Sequence, residues 1–283
     1  MPESWRFDAI GTRWEIVTAE PLAAATRGDV TARIDDFDTT WSRFRDDSLV
    51  SRLAASGAVP LPSDAAPMLD LYKELSDATG GAVNPLVGDS LAHRGYDAGY
   101  SFVDRGAVAA PENWPALLTW DEDLALTADA TIDVGALGKG RLVDLVLDIV
   151  ASQVGGGVVV DASGDLAVRG GPERVGLEHP YDPTRAIGVA TVTDAALCAS
   201  AINRRAWGDG LHHVLDARTG VPVRRIAAAW ALAGDAMHAD AAATALFFDG
   251  GPELAADWGV DWVRMTTDGR VEWAPGTEME LFV

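Results

Sequence analysis

Residues 131–144, TIDVGALGKGRLVD, have the types and spacing best suited to binding a charged ligand. A short β-branched run ends at Asp133, a glycine-rich turn containing Lys139 follows, and apolar residues then recur at helical spacing. Glycines let a backbone approach a ligand closely, and the free N–H groups at a helix start favour negative charge. The segment therefore predicts a strand, a turn and a helix start that can hold a phosphate.

Neither of the two common phosphate loops matches this turn. A Walker loop needs glycine five residues before its Gly-Lys pair and Ser or Thr after the lysine, where this chain has Asp133 and Gly140. Residues 135–140 read GALGKG, which is not a G-x-G-x-x-G fingerprint. A tight turn without a ligand is the alternative. The choice of Lys139 favours a ligand, because the chain has 22 Lys plus Arg and the only other lysine is Lys73. A compact ammonium suits a point contact to phosphate.

Asp240 and Thr244 are the second pair with possible chemistry. They stand four residues apart in an alanine-rich segment, and residues at this spacing share one face of a helix. A carboxylate beside a hydroxyl gives two hard oxygens, which Mg²⁺ prefers, with water and a substrate phosphate completing its shell. The alternative is a packed helix in which Asp240 is an acid favoured by the helix dipole.

The adjacent histidines in residues 211–220, LHHVLDARTG, form a third candidate. Neighbouring strand residues point to opposite faces, so only one of His212 and His213 can face a given cleft. A histidine there can act as general base on a hydroxyl nucleophile. The alternative is a polar hairpin with one surface histidine and one buried histidine.

Two further segments are less informative alone. Residues 80–88, GGAVNPLVG, form a small-residue loop that can lie against a flat ring, or an ordinary connection after a helix. Residues 160–166, VDASGDL, run from a strand into a small-residue turn with two acids and indicate no function by themselves.

The hydrophobic pattern predicts the elements that must position these residues. Helices early in the chain followed by mixed strands and helices predict an α+β fold rather than a doubly wound sheet. Helices are predicted at about 22–44, from an N-cap at Ser63 to Gly80 and Gly81, within 131–153 after a strand, and at 236–249. Strands are predicted at 12–18, 158–160, 166–169, 186–193, 211–215, 226–233 and around a turn at Asp268-Gly269, with a loop containing short strands at 88–122.

Composition limits the class of protein. At 283 residues and 48% hydrophobic, the chain can bury a sizeable core, as one unit over residues 1–283 or as two closely packed lobes. A net charge of −21 argues against nucleic acid or an anionic membrane as partner, so an anionic substrate would need a local positive group. The single cysteine, Cys198, excludes an internal disulfide. The N-terminus has no signal-peptide pattern and no run could span a membrane, from which we expect a cytoplasmic protein.

Taken together and in order, these segments resemble the FAD:protein FMN transferase family, also called ApbE. IDVGALGKGRLVD resembles the family's most specific signature, D-L-G-G-I-A-K-G-Y-A-V-D. The other matching segments are Ile10-Gly11-Thr12, WSRFRDDS at 41–48, GAVNPLVG at 81–88, SGDLAVRG at 163–170, HHVLDARTG at 212–220 and ADAAATALFFDG at 239–250.

The resemblance implies a fold and an activity. The fold would have mixed and antiparallel sheets packed with helices around a cleft between two lobes. The activity would be Mg²⁺-dependent transfer of the FMN half of FAD to a Thr or Ser hydroxyl in the flavinylation motif of an acceptor protein, with release of AMP.

The same resemblance assigns roles residue by residue. His213 would be the base, and Mg²⁺ would be held by the Asp240 carboxylate, the Thr244 hydroxyl and the main-chain oxygen of Ala136. FAD would contact Ile10, Phe44, Ala82, Val83, Asn84, Asp133, Lys139 and Leu215.

The chain departs from the family pattern at four places. Asn84 replaces the family's Asp, Ala201 replaces the usual Gly after Ser200, Ala217 replaces a turn proline, and Asp161-Ala162-Ser163-Gly164 stands where the family has N-x-G-G. Two alternative functions use the same residues. A Mg²⁺-dependent FAD pyrophosphatase would give FMN and AMP with water as acceptor, and a non-catalytic FAD-binding protein would need no metal pair.

Overall fold

The structure is a computed structural model and describes residues 2–282. In this range the helices are α1 (Ala24–Trp41), α2 (Leu49–Ser56), α3 (Ala65–Ala78), α4 (Gly88–His93), α5 (Trp114–Leu117), α6 (Gly138–Gln153), α7 (Ala236–Ala245) and α8 (Gly251–Asp257). The strands are β1 (Glu3–Ala9), β2 (Thr12–Thr18), β3 (Ala58–Pro60), β4 (Leu118–Trp120), β5 (Asp123–Leu126), β6 (Val158–Asp161), β7 (Asp165–Arg169), β8 (Pro172–Glu178), β9 (Ala186–Thr193), β10 (Ala196–Ala201), β11 (Ala206–Trp207), β12 (Leu211–His212), β13 (Leu215–Asp216), β14 (Val221–Pro222), β15 (Ile226–Ala233), β16 (Asp261–Thr266), β17 (Val271–Trp273) and β18 (Glu280–Leu281).

An antiparallel sheet forms the centre of the fold, with the strand order β1-β2-β6-β7-β10-β15-β16-β17. Smaller antiparallel sheets, β18-β9-β8 and β3-β5-β4, and the ribbons β11-β12 and β13-β14 accompany it. Antiparallel sheets packed with helices confirm the predicted α+β class.

The two faces of the central sheet pack on different partners. Because strand side chains alternate, Ala167 and Cys198 face the helical core that includes α6 and α7, whereas Leu166 and Leu197 pack in a second cluster with residues of β9. The buried residues of α7 are nearly all alanines. Because these side chains are small, the helix lies close to both the central sheet and α6. The close packing of α6 and α7 sets the geometry of the site.

Several predicted elements are confirmed with shifted ends. β2 and β15 have the predicted bounds, and α6 and α7 lie within the predicted helices. The first helix is shorter than 22–44, so Phe44 lies beyond its end. Gly80 and Gly81 follow the end of α3 with φ of 60° and 85°, as expected for residues that terminate a helix.

The predicted N-cap at Ser63 is wrong. The cap position of α3 is Asp64, whose carboxylate accepts no hydrogen bond from the helix start. It binds Arg33 at 2.5 Å and Arg141 at 2.6 Å, so ion pairs with α1 and α6 outweigh capping. The prediction also omitted α2, although Ser48 caps it by accepting the N–H of Ser51 at 3.1 Å.

Two strand predictions and one loop prediction also differ from the structure. Residues 131–133 do not form the predicted strand. The N–H of Asp133 donates to the carbonyl of Pro85 and the N–H of Thr131 to the Asp89 carboxylate, so these groups do not pair with a neighbouring strand. The segment 88–122 contains the short helices α4 and α5 besides β4. The strand predicted at 211–215 is interrupted between β12 and β13. In the part of the chain described, no helix is both long and apolar enough to cross a membrane.

Candidate active site

One cleft of about 1190 Å³ gathers all the residues that the resemblance selected. These residues come from segments far apart in the chain, and the fold brings them to a single cavity. They are Ile10, Phe44, Ala82, Val83, Asn84, Asp133, Ala136, Lys139, His213, Leu215, Asp240 and Thr244.

The glycine turn meets α7 at Gly140. Its N–H donates to Oδ2 of Asp240 at 3.0 Å, and a Cβ at this position would lie 2.1 Å from the carbonyl oxygen of Ala236. The glycine is therefore required for the approach of two helices, and its N–H is not free for a ligand. This corrects the simplest phosphate-loop interpretation, since one of the expected donors is used to orient a carboxylate.

The same contact leaves the carbonyl oxygen of Ala136 available. In a regular helix the N–H of Gly140 would donate to this oxygen, but it donates to Asp240 instead. Within residues 2–282 no hydrogen bond to the Ala136 oxygen is formed. Buried Tyr72 fixes the turn, because its hydroxyl donates to the carbonyl of Asp133 at 2.9 Å and accepts the N–H of Ala136 at 3.2 Å.

Two buried carboxylates share one ammonium beside this oxygen. Lys139 Nζ lies 2.9 Å from Oδ2 of Asp165, and Asp165 and Asp240 are only 1% and 4% exposed. Burial, and then the charge of Asp165, raise the pKa of Asp240 well above its usual range. Burial alone would lower the pKa of Lys139, but the two carboxylates outweigh burial and raise it. When both carboxylates and the ammonium are ionised, the cluster has one net negative charge.

This cluster fits a hard divalent cation. Asp165 is held by the ion pair alone, since neither of its oxygens accepts a hydrogen bond in the described part of the chain. Groups of three His, Cys, Asp or Glu side chains that could hold a metal are absent from residues 2–282. A cation here would take oxygens of Asp240, Thr244 and Ala136 together with water and phosphate, which is the donor set that Mg²⁺ favours.

Only one of the paired histidines faces the cleft, as predicted. His212 Nε2 lies 2.9 Å from the carbonyl oxygen of Val223, on the opposite side, while His213 lines the cavity. Burial, and then the positive charge of Arg205, lower the pKa of His213 to about 3. His213 is therefore neutral near pH 7, and its buried Nδ1 has no hydrogen-bond partner in the described residues.

An aromatic wall lies on the outer side of the cleft. The rings of Phe44 and Tyr100 stack with centroids 5.3 Å apart, and Tyr96 stacks on Trp207 at 5.5 Å. The Arg43 guanidinium carbon lies 4.2 Å from the centroid of the Phe44 ring. This wall offers planar apolar surface for the rings of a ligand.

Two predicted FAD contacts are already engaged within the protein. Oδ2 of Asp133 accepts a hydrogen bond from Nε of Arg43 at 2.5 Å, and Oδ1 accepts the N–H of Gly135 at 2.7 Å. Asn84 donates to the carbonyl of Pro111 and accepts the N–H of Leu86, which holds its loop. Both residues line the cleft, but much of their hydrogen-bonding capacity is used structurally.

Unsatisfied polar groups are concentrated in this cavity. Buried side-chain atoms without a hydrogen-bond or ion-pair partner in residues 2–282 include Nη2 of Arg43, Oδ1 of Asp165 and Nδ1 of His213, and all three residues line the cleft. Buried polar atoms are nearly always paired in native proteins, so this concentration points to a polar ligand.

The charge of the cleft also differs from that of the chain. Six Lys or Arg and five Asp or Glu line it, whereas the whole chain has 22 against 43. The residues that sequence reasoning missed here are Asp165, Arg43, Arg205 and Tyr72. Asp165 could be seen in the sequence as an acid of the SGDL turn, but only the fold brings it next to Lys139.

Comparison with known proteins identifies the family of this chain. The profile of the ApbE family matches residues 10–261. An FAD:protein FMN transferase of Rhodobacter capsulatus is 27% identical over 85% of this chain and 50% of that protein, so this chain spans about half of that relative. An FAD:protein FMN transferase of Treponema pallidum (strain Nichols) is 26% identical over 94% of this chain and 85% of that protein.

The fold agrees with a solved structure. The crystal structure of the ApbE protein from Thermotoga maritima MSB8 superposes with a TM-score of 0.83 at 21% identity, covering 97% of each chain. This likeness concerns the fold, and the family profile spans most of the chain from Ile10 onwards. The chain belongs to the ApbE family.

Proposed function

We propose that this protein transfers the FMN moiety of FAD to a Thr or Ser hydroxyl of an acceptor protein, with Mg²⁺, and releases AMP. The observation that carries the proposal is the cluster of Asp240, Asp165 and Lys139 beside the open carbonyl of Ala136, in a cleft with an aromatic wall. The curated relatives named for this activity support it.

Mg²⁺ would be held by the Asp240 carboxylate, the Thr244 hydroxyl and the Ala136 oxygen. When bound, it supplies positive charge that neutralises the phosphate oxygens during transfer. Gly140 contributes indirectly, because its N–H fixes one oxygen of Asp240 and leaves the other for the cation. Lys139 balances Asp165, so the pocket does not carry two unpaired buried carboxylates.

His213 would accept the proton of the acceptor hydroxyl. The low pKa of His213 leaves the imidazole unprotonated near pH 7, so a ring nitrogen has a free lone pair. Anionic phosphates bound in the cleft would raise that pKa toward the operating pH, where a general base works best. The hydroxyl oxygen then forms a bond to the flavin-side phosphorus of FAD, and the bond from that phosphorus to the bridging oxygen breaks. AMP leaves with the bridging oxygen, and the flavin stays on the acceptor as a phosphoester. Positioning and charge neutralisation supply most of the rate in such transfers.

The test uses the protein with FAD, Mg²⁺ and an acceptor carrying a Ser/Thr flavinylation motif. Flavin fluorescence on the denatured acceptor, together with AMP in solution, is expected for the wild type. Asp240→Ala should abolish both products, because removal of a main electrostatic ligand typically costs at least about a hundredfold in rate. Asp148→Ala, which removes an exposed acid of α6 outside the cleft, is the matched control.

Each of the other outcomes would indicate a different function. AMP and free FMN without protein-bound flavin would show a pyrophosphatase. FAD that remains intact after prolonged incubation with Mg²⁺ and acceptor would show a binding protein and would overturn the proposal. Full activity of Asp240→Ala would remove the metal assignment.

A further inference from the structure

The lysine and arginine side chains that line the cleft differ in whether they form an ion pair with an acidic side chain. Four of the six are in ion pairs with acids that also line the cleft: Arg43 with Asp133 (2.5 Å), Arg45 with Asp38 (3.1 Å), Lys139 with Asp165 (2.9 Å) and Arg204 with Glu178 (3.0 Å). Across residues 2–282, ion pairs include neither Arg13 nor Arg205. These two guanidiniums are therefore open to an anionic ligand.

Arg205 is the one of the two that lies beside the proposed chemistry. Its carbonyl oxygen accepts the N–H of His213 at 3.3 Å, so its backbone lies next to the proposed base. Its guanidinium carbon is 5.9 Å from the centroid of the Tyr96 ring, in the aromatic wall. Its charge lowers the pKa of both His213 and Lys139, which places it within electrostatic reach of the cluster. Arg13 lines the cleft as well, but it also borders a second cavity formed with Asp8 and Gly11.

Lys139 is poorly placed to be the main phosphate ligand in this chain. Its ammonium lies 2.9 Å from a carboxylate oxygen of Asp165 and 3.4 Å from the carbonyl oxygen of Ala162. A ligand phosphate that drew the Lys139 ammonium away from its ion pair would leave the buried Asp165 carboxylate without a counter-charge, which costs free energy. The exposed and unpaired guanidinium of Arg205 carries no such penalty.

We propose that Arg205 binds the diphosphate of the dinucleotide through the phosphate that leaves with AMP, and stabilises the charge that develops on it. This inference rests on the proposed function. When the bond between the flavin-side phosphorus and the bridging oxygen breaks, that oxygen takes the electron pair and the AMP phosphate gains negative charge. A guanidinium donates two parallel hydrogen bonds to phosphate oxygens, a geometry that an ammonium cannot reproduce.

Binding of AMP tests this role without any transfer. Calorimetric titration of the whole protein with AMP, and separately with adenosine, isolates the contribution of the phosphate. Arg205→Ala should weaken AMP binding at least tenfold and leave adenosine binding unchanged. Arg204→Ala is the matched control, because the neighbouring guanidinium is already held by Glu178, and it should change AMP binding less than threefold.

Single-turnover transfer of FMN gives the second measurement. Arg205→Ala should be slower than wild type by about a hundredfold, as for loss of a transition-state donor. Arg205→Lys should recover part of the AMP affinity, and added guanidinium chloride should accelerate Arg205→Ala but not the wild type. Thermal unfolding at the wild-type temperature would show that the variant is folded.

The inference is overturned if Arg205→Ala binds AMP like the wild type, or if adenosine binding falls equally. An equal loss in Arg204→Ala would also overturn it, since general charge at the cleft mouth would then explain the effect. Failure of the proposed function looks different. In that case the wild type itself transfers no FMN, whatever its affinity for AMP.

Discussion

The main-chain N–H of Gly140 on α6 donates to the buried carboxylate of Asp240 on α7, with 3.0 Å between nitrogen and oxygen. This bond joins the glycine turn to the proposed cation site, although the residues are 100 positions apart. It also replaces the helical bond to the carbonyl of Ala136, so one contact orients a carboxylate and frees a second oxygen.

Gly140→Ala should disrupt this junction. The added methyl would lie 2.1 Å from the Ala236 oxygen, which belongs to backbone and cannot move aside. We expect loss of about 3 kcal/mol in the free energy of unfolding, as for severe overpacking, with weaker Mn²⁺ binding. Chemical denaturation and Mn²⁺ titration by electron paramagnetic resonance would measure the two effects.

Gly28→Ala is the control for that substitution. Gly28 is exposed within α1, and a Cβ there would meet no atom of the described residues within 4 Å. Alanine should therefore raise the free energy of unfolding by about 0.5–1 kcal/mol. Equal stability of the two variants would contradict the packing argument for Gly140.

Asp144→Ala should loosen the start of α7. The Asp144 carboxylate on α6 accepts the N–H groups of Ala236 and Met237 at 2.7 and 2.9 Å, so one helix caps another. Loss of such a cap costs about 1–2 kcal/mol in the free energy of unfolding, and displacement of Asp240 should weaken Mn²⁺ binding as well. Denaturant titration alongside Mn²⁺ titration checks both expectations.

The control on the same helix is Asp148→Ala, because the Asp148 side chain is 68% exposed and forms an ion pair with Arg169. Its stability should stay within about 0.5 kcal/mol of the wild type. If both variants lose the same stability, general charge loss on α6 is responsible and the cap is not.

Asp165→Asn should weaken cation binding through charge alone. The variant removes the excess negative charge of the cluster and leaves Lys139 facing a neutral amide. We expect Mn²⁺ affinity to fall about tenfold or more, since a buried charge within several ångströms is screened weakly. Asp148→Asn, with the same change of net charge at an exposed position, should keep the wild-type affinity. Unchanged binding in Asp165→Asn would separate Asp165 from the cation site.

His213 should make the fold less stable as pH falls. Because the unfolded histidine protonates near pH 6.5 and the folded one has a pKa of about 3, the unfolded state binds more protons between these values. His213→Gln removes this difference, so relative to the wild type it should gain roughly 2 kcal/mol in free energy of unfolding on going from pH 7.5 to 5. Urea denaturation of both proteins at the two pH values measures it. A difference that is independent of pH would show that His213 is solvated.

His213 also predicts the acid limb of the reaction. Since the pKa of the imidazole lies far below 6.5, kcat/KM for FAD should show no loss from His213 protonation between pH 8 and 5. A limb near pH 6.5 that disappears in His213→Gln would contradict the buried, neutral imidazole.

Much of the site was visible in the sequence as local patterns. The spacing of Asp240 and Thr244 predicted two oxygens on one helix face, and alternation along a strand predicted that a single histidine would face the cleft. The order of the motifs along the chain then indicated the ApbE family without any knowledge of spatial contacts. Local periodicity and motif order are properties of the chain itself, so these predictions did not depend on packing.

Only tertiary structure decided which groups are paired and which are open. Lys139 is paired with Asp165, Gly140 donates its N–H to Asp240, and Arg205 lines the cleft with no acid partner among residues 2–282. The capping of α7 by Asp144 and the use of Asp64 as an ion-pair partner were equally invisible in the sequence. Hydrogen bonds and ion pairs between distant segments depend on distances that folding sets, and no local spacing encodes them. The sequence by itself determined the kinds of groups in the cleft, and the packing of α6 against α7 decided what each of them can do.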